Sequence, residues 1–274
     1  MRSIKSAWLL AAALVLGAPA LAQKAAAPKP GQPVGPPLKM VLEPKALEIL
    51  KAASDRLAAA KAMSFTAFVD EEYPSRLGPM MSFPARYDVT MQRPDKLRVL
   101  LRGAGPESEF YLDGKTMLAY APAENLVAVA DAPPALADAL QKAHDQAGIF
   151  YPFTDLLLPD PYEPVAKTAK LAFYVGRSGA VGGVETDMVA WANDDVFMQI
   201  WTGVDDKLPR RVRAVYRNDP MQFRHEMSLT DWKIDPAIAD GTFTTLKAAG
   251  AQKMPFAMPS RPPQPKAAAK SPSR

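Results

Sequence analysis

The chain has 274 residues, 33 Lys and Arg against 29 Asp and Glu, two His, 28 Pro and no Cys. Without a thiol there is no disulfide, no thiolate chemistry and no cysteine-borne lipid anchor, so the fold must be held by its core alone. The net charge of +4 is unevenly spread: residues 43–244 carry 22 basic against 29 acidic side chains between two basic ends, the opposite of the basic folded face that nucleic-acid binding needs.

Residues 1–22 hold Arg2 and Lys5, the apolar run Ala7 to Leu16, and Ala20-Leu21-Ala22 in the small-x-small form that signal peptidase accepts. This predicts a secretory signal cleaved after Ala22. The apolar run is about half the ~20 residues a membrane-spanning helix requires, so contact with a membrane is expected to be at most peripheral. Residues 23–42 read as a Pro/Ala-rich linker and residues 245–274 as a basic, Pro/Ala-rich disordered tail. One domain is expected between them, over 43–244.

That domain begins with a helix from Pro44, where Leu47, Leu50, Ser54, Leu57 and Ala58 fall at helical spacing and proline suits the first turn. The period then changes to two. Strands are predicted over 64–73, 82–92 and 95–102, then in a hairpin turning at Asp113-Gly114 with the type I′ preference, then over 125–130. A second helix follows Pro133 and Pro134 and carries Leu136, Leu140 and Ala143 on one side. Residues 151–164, YPFTDLLLPDPYEP, are too hydrophobic for an ordinary loop and too proline-broken for a long helix. Five more strands are predicted at 170–177, 185–193, 195–203, 210–218 and 222–232.

The fold class is therefore α+β: a single strongly curved antiparallel sheet of about eleven strands, an open half-barrel, with an N-terminal helix and a mid-chain helical, proline-rich lid.

Catalytic chemistry is sparse. His225 alternates within a strand and His144 falls in a helix, so each reads as a packed or surface side chain rather than a general base. Gly114-Lys115-Thr116 imitates the end of a phosphate loop, but Glu109 stands where its first glycine is required and a hairpin follows. Gly176-Arg177-Ser178-Gly179-Ala180 lacks the second glycine of a nucleophile elbow. Asp205 and Asp206 read as a turn tip between strands, since two adjacent carboxylates with no third ligand close no coordination shell. No catalytic residue, metal ligand set or cofactor is predicted, and an enzyme is the most distant reading.

The element order resembles the LolA/LolB lipoprotein-carrier superfamily. The second half resembles one group of predicted periplasmic proteins within it, whose pattern runs Gly-Val-x-Cys-Asp-His-Leu, Gln-x-Trp, Leu-Pro-Arg, Asp-Trp and a late Phe. Here these are Gly183-Val184-Glu185-Thr186-Asp187-Met188-Val189, Gln199-Ile200-Trp201, Leu208-Pro209-Arg210, Asp231-Trp232 and Phe243. Thr186 replaces the Cys and Met188 the His, so no metal or redox role carries over to that pair. The resemblance implies a periplasmic location, a fold and a cavity, with no activity to lend.

A strongly curved sheet needs an apolar cover on its concave side. The expectation is a non-catalytic periplasmic binding or carrier protein for an acyl-chain or lipid-like ligand. Its cavity would be lined by Leu97, Val99, Phe110, Leu112, Phe173, Met188, Val212 and Tyr216 and covered by a lid at Leu156, Leu157 and Leu158. The alternative is a periplasmic sensor or regulatory module that binds a protein partner and no small ligand.

Overall fold

A computed structural model describes residues 40–103 and 105–258. The expected signal and its cleavage site, most of the linker, and residues 259–274 of the expected tail lie outside the described residues.

Helix α1, Pro44–Ala59, buries Ala46, Leu50, Ala53, Ser54 and Leu57 along one stripe. Its N-cap residue, Glu43, does not cap it with a side chain. The Glu43 carboxylate instead accepts from the Tyr174 backbone N–H at 2.9 Å, and the Glu43 N–H donates to the Ala172 carbonyl at 2.8 Å. Both bonds pin the start of α1 to the sheet.

The sheet contains the eleven expected strands: β2 (Ala62–Pro74), β3 (Met80–Gln92), β4 (Lys96–Gly103), β5 (Ser108–Asp113), β6 (Thr116–Ala121), β7 (Leu126–Asp131), β8 (Leu171–Ser178), β9 (Thr186–Ala192), β10 (Val196–Gly203), β11 (Pro209–Tyr216) and β12 (Arg224–Ile234). Two short strands that the sequence did not predict, β1 (Val41–Leu42) and β13 (Gln252–Met254), add themselves in parallel to the outermost strands β8 and β7. The order is β1-β8-β9-β10-β11-β12-β2-β3-β4-β5-β6-β7-β13, an open, curved sheet. Two meanders thus meet at the centre, where β12 pairs with β2, and each outer edge is blunted by a strand too short to recruit another chain.

The expected 23–42 linker and 245–274 tail therefore need correction at their inner boundaries. Val41 and Leu42 belong to the sheet, and residues 245–258 are not a free tail. A 3-10 turn, Lys247–Gly250, lies on β6 and β7 with Ala248 buried against Tyr120 and Val127, and Phe256 packs against the main core. Composition concealed this, because β13 pairs through its backbone and all three of its side chains are exposed. The hairpin between β5 and β6 also differs in detail. Its loop is Gly114-Lys115, with Asp113 Oδ1 accepting from both the Lys115 and Thr116 N–H groups at 2.8 and 2.7 Å.

Helices cover one face of the sheet, the inner one. Helix α2, Leu136–Ala147, lays Leu136, Ala139, Leu140 and Ala143 on it and stops at Gly148, whose φ of 67° is the left-handed cap that glycine takes without strain. Helix α3, Thr154–Leu157, is a single turn, and α4, Tyr162–Thr168, starts with Asp160 Oδ1 accepting from the Tyr162 and Glu163 N–H groups. The main core runs beneath α2 and α3 on β2 to β6, β11 and β12; a second cluster lies between α1, β8 and β9.

The turn between β3 and β4 holds these helices together. The Arg93 guanidinium donates to the carbonyls of Leu57 and Ala60 at the end of α1 and to those of Leu157 and Leu158 at the end of α3, at 3.0–3.4 Å. Next to it, the Pro94 carbonyl accepts from Leu136 N–H at the start of α2, at 3.0 Å. Burial lowers the Arg93 pKa from its ordinary value, yet a guanidinium keeps its charge and complements two helix C-termini at once. Replacing Arg93 by Met leaves those carbonyls short of donors and is expected to cost about 2–3 kcal/mol in urea unfolding. Arg93→Lys should recover only a minor part, because one ammonium cannot span both helix ends.

The C-terminal segment gives a prediction about acid. The Lys247 ammonium donates to buried Glu109 at 2.8 Å, and the Tyr111 hydroxyl donates to the same carboxylate at 2.7 Å. Burial alone would raise the Glu109 pKa, but these two bonds and the nearby Lys247 and Arg102 charges outweigh it and hold the carboxyl below its ordinary range. A depressed carboxylate pKa contributes stability above the unfolded value, near ~4.3, and loses it as pH falls through the folded value. Residues 245–258 should therefore gain amide exchange on acidification through that window, and Lys247→Met should make their protection less dependent on pH over the same range.

Candidate functional site

The inner face has a covered part and an open part. Under the cover, Tyr151 and Phe153 stack on one another at 5.5 Å and reach down into the sheet. Phe153 meets Phe65 at 5.5 Å and Tyr87 at 5.4 Å edge-on, Tyr151 meets Phe110 at 5.9 Å, and Phe65 lies 4.5 Å from Trp232. These two aromatics, more than the three leucines, anchor the segment. Leu157 is 1% exposed in the core, whereas Leu156 and Leu158 are only partly buried. The Thr154 hydroxyl donates to the Tyr151 carbonyl at 2.7 Å and fixes the single turn that presents them.

The expected cavity residues do not come together. Leu97, Val99, Phe110 and Leu112, expected in the cavity lining, are buried in the core beneath the cover and are not among the residues that line the groove described below. Val212 packs at the margin of the same core. Phe173 and Met188 alternate with Ala172 and Val189, which face α1, so both belong to the outer face. Tyr216 lies on the inner face beyond the cover, 48% exposed.

The open part exists because the central hairpin is long. Strands β2 and β3 have 13 residues each, whereas their neighbours β12 and β4 have 11 and eight. Pairing of β3 with β4 stops at Ala85 and Gly103, and pairing of β12 with β2 stops at His225 and Glu71. The end of the hairpin therefore projects past its neighbours and past the helices. On its inner face a groove of about 480 Å³ is lined by Glu71, Tyr73, Met81, Phe83, Ala85, Tyr87 and Leu101, with Gly103, Gly105 and Pro106 at its edge.

The groove continues the core without a break. Tyr87 forms its inner end, with its ring against Phe153 and Tyr151. Burial first, then the Glu71 carboxylate and Tyr73, push the Tyr87 pKa up to about 12. Outward from it, Tyr73, Met81 and Phe83 are 51%, 47% and 39% exposed, and the Tyr73 and Phe83 rings meet edge-on at 5.6 Å. The Tyr73 hydroxyl donates to Glu71 Oε2 at 2.8 Å. His225 faces Glu71 in register on β12, and its Nε2 is buried without a hydrogen-bond partner among the described residues. Burial lowers the His225 pKa, an effect that the Glu71 charge partly offsets.

The residues that carried the family resemblance lie elsewhere and hold turns and strand junctions. Asp206 pairs with Arg210 and accepts from Leu208 N–H, so the Asp205-Asp206 stretch is a turn as expected. The Trp232 indole donates to the Pro209 carbonyl at 2.9 Å, and Leu208 and Phe243 are buried. Thr186, at the position of the family cysteine, is fully buried and donates to the Ser178 carbonyl at 2.8 Å. Among the described residues, no group of three or more His, Asp and Glu could hold a metal ion.

The fold is an open, helix-covered antiparallel half-barrel with one apolar groove at its end. The chain belongs to the DUF2092 family, described as a predicted periplasmic protein, whose model matches residues 46–257. Comparison with curated proteins finds no match. Among solved structures the chain is similar to the MucA/MucB complex of Pseudomonas aeruginosa, at 15% identity over 74% of this chain and 62% of that one, TM-score 0.40. It is also similar to the lipoprotein LppX of Mycobacterium tuberculosis (12% identity, 73% and 100% covered, TM-score 0.45) and to a LolA superfamily protein of Nitrosomonas europaea (8%, 73% and 97%, TM-score 0.32). The chain thus spans less than two thirds of MucB, and likenesses this loose carry no chemistry between chains.

The division of the inner face is open to mutation. Leu157→Ala is expected to destabilise by about 2–5 kcal/mol, as buried leucine truncations do, while Leu158→Ala should cost clearly less. Thermal unfolding of the two variants side by side measures the difference.

Proposed function

We propose that the chain is a non-catalytic periplasmic binding or carrier protein for a hydrophobic, acyl-chain or lipid-like ligand, held in the groove at the end of the β2–β3 hairpin. One observation carries this reading: the apolar inner face runs unbroken from the core into the groove, where large side chains stay exposed. Folding alone gains nothing from leaving Tyr73, Met81 and Phe83 in water, and a contiguous patch in a concave setting is what a hydrophobic ligand covers. A groove of about 480 Å³ falls within the range of small-ligand sites. Among the described residues no helix is long and apolar enough to cross a membrane.

The outer face supports the second reading, a protein-interaction module. Exposed Phe68 carries the Arg86 guanidinium 5.8 Å from its ring, and Trp201 carries that of Arg211 at the same distance. Aromatic residues and arginine are both enriched where proteins dock.

The test is displacement of a neutral fluorescent probe, N-phenylnaphthylamine, together with mass spectrometry of solvent extracts from protein purified without detergent. Probe binding that Phe83→Asp abolishes, with little change in melting temperature because Phe83 is part-exposed, supports the groove. An empty extract with no probe binding at micromolar protein overturns the reading, and probe binding indifferent to Phe83→Asp moves the site elsewhere.

A further inference from the structure

The groove's lining is selective in charge as well as apolar. Glu71 points into it, and among the described residues it has no ion-pair partner; the hydrogen bond it receives comes from the neutral Tyr73 hydroxyl. Its neighbour Glu72, on the outer face, is by contrast paired with Arg224 at 3.3 Å. The charged outer face is largely neutralised in this way: Asp88 with Arg86 and Arg102, and Glu226 with Arg211 and Arg213. The inner-face carboxylate is left over.

Around Glu71 stand the rings of Tyr73, Phe83 and Tyr87, all lining the groove. Tyr216 lies on the same face two strands away, within electrostatic reach of Glu71 and of Asp155 on α3. His225, directly across from Glu71, is disfavoured as a cation by its burial. Among the described residues no lysine or arginine lines the groove. An anionic head group placed here would meet Glu71 with nothing to balance it. A cationic one would meet a carboxylate among aromatic rings, the combination that recognises ammonium groups.

We propose that the groove binds amphiphiles with a cationic, amine or quaternary ammonium head, seated against Glu71 and the rings of Tyr73 and Phe83, with the apolar tail running along Ala85 and Leu101 toward Tyr87. This rests on the reading of the groove as a hydrophobic-ligand site and names the ligand's charge. Anchoring the head at Glu71 and the tail toward Tyr87 also uses both the charged and the apolar part of the lining, which a plain hydrocarbon would not.

The test compares three ligands of equal chain length by titration calorimetry, each below its micelle concentration: decyltrimethylammonium, decanol and decanoate. The trimethylammonium ligand is expected to bind about tenfold tighter than decanol, the scale of a partly desolvated cation–π and carboxylate contact, and decanoate weakest of all. Glu71→Gln should bring the ammonium-to-alcohol ratio close to one, and added salt should reduce it in the native protein. Phe83→Leu, which keeps the groove apolar but removes a ring, should lower the ratio by a smaller factor and serves if Glu71→Gln fails to fold. Equal binding of all three ligands overturns the charge selectivity and leaves the hydrophobic site standing. Tightest binding of decanoate overturns it as well, and binding of none overturns both readings together.

Discussion

The guanidinium of Arg93 is the point on which the helical layer depends. It lies in the turn between β3 and β4, and its donors end two helices from opposite parts of the chain, α1 at Leu57 and Ala60 and α3 at Leu157 and Leu158. Single-turn helices do not persist on propensity. Helix α3 holds because its last carbonyls meet a charge and because Phe153 and Leu157 are buried beneath it. With α2 started by a bond to Pro94, one turn of the sheet fixes three helix ends and so fixes how far the cover extends.

The groove follows from a mismatch between that cover and the strands. A strand of 13 residues extends roughly 40 Å, while the flanking strands β12 and β4, of 11 and eight residues, stop short of the hairpin end. The helices serve the shared length. What remains of β2 and β3 keeps the inside-outside alternation of the rest, so the same rule that fills the core with Val69, Val89 and Val99 puts Tyr73, Met81 and Phe83 over empty space. The site is therefore an extension of the core without its lid, and in the proposed function a ligand completes the packing.

The architecture was largely legible in the sequence, because alternation over six or more residues is a strong signal and the eleven antiparallel strands are all that long. Strands β1 and β13 were not, since two or three residues cannot establish a period. The candidate site was read less well, for a physical reason. Alternation tells that Leu97 and Phe110 face inward but not whether a helix lies on them, and only the fold shows α2 and the Tyr151–Phe153 pair there. Glu71 and His225 are 154 positions apart, and their pairing across β2 and β12 is a fact of register with no local sequence trace. A signal did exist in strand β2 itself: Asp70-Glu71-Glu72 puts a carboxylate on the apolar face of a strand, where burial without a partner is costly and a reason is owed.

The packing of the 151–164 segment also changes what the lid idea requires. A flap that opens to admit a ligand would have to release Phe153 and Leu157 from the core and break two carbonyl contacts to Arg93, a cost comparable to much of a small domain's stability. The groove makes that opening unnecessary, because it is already open to solvent at the end of the hairpin and closed only where Tyr87 meets the cover. In the proposed carrier, then, the segment is a fixed backing behind Tyr87 at the inner end of the groove, and ligands exchange at the hairpin end while the core stays shut. The distinction matters for rates: exchange past partly exposed side chains needs no unfolding step, so uptake and release would be set by the ligand's own affinity for the groove.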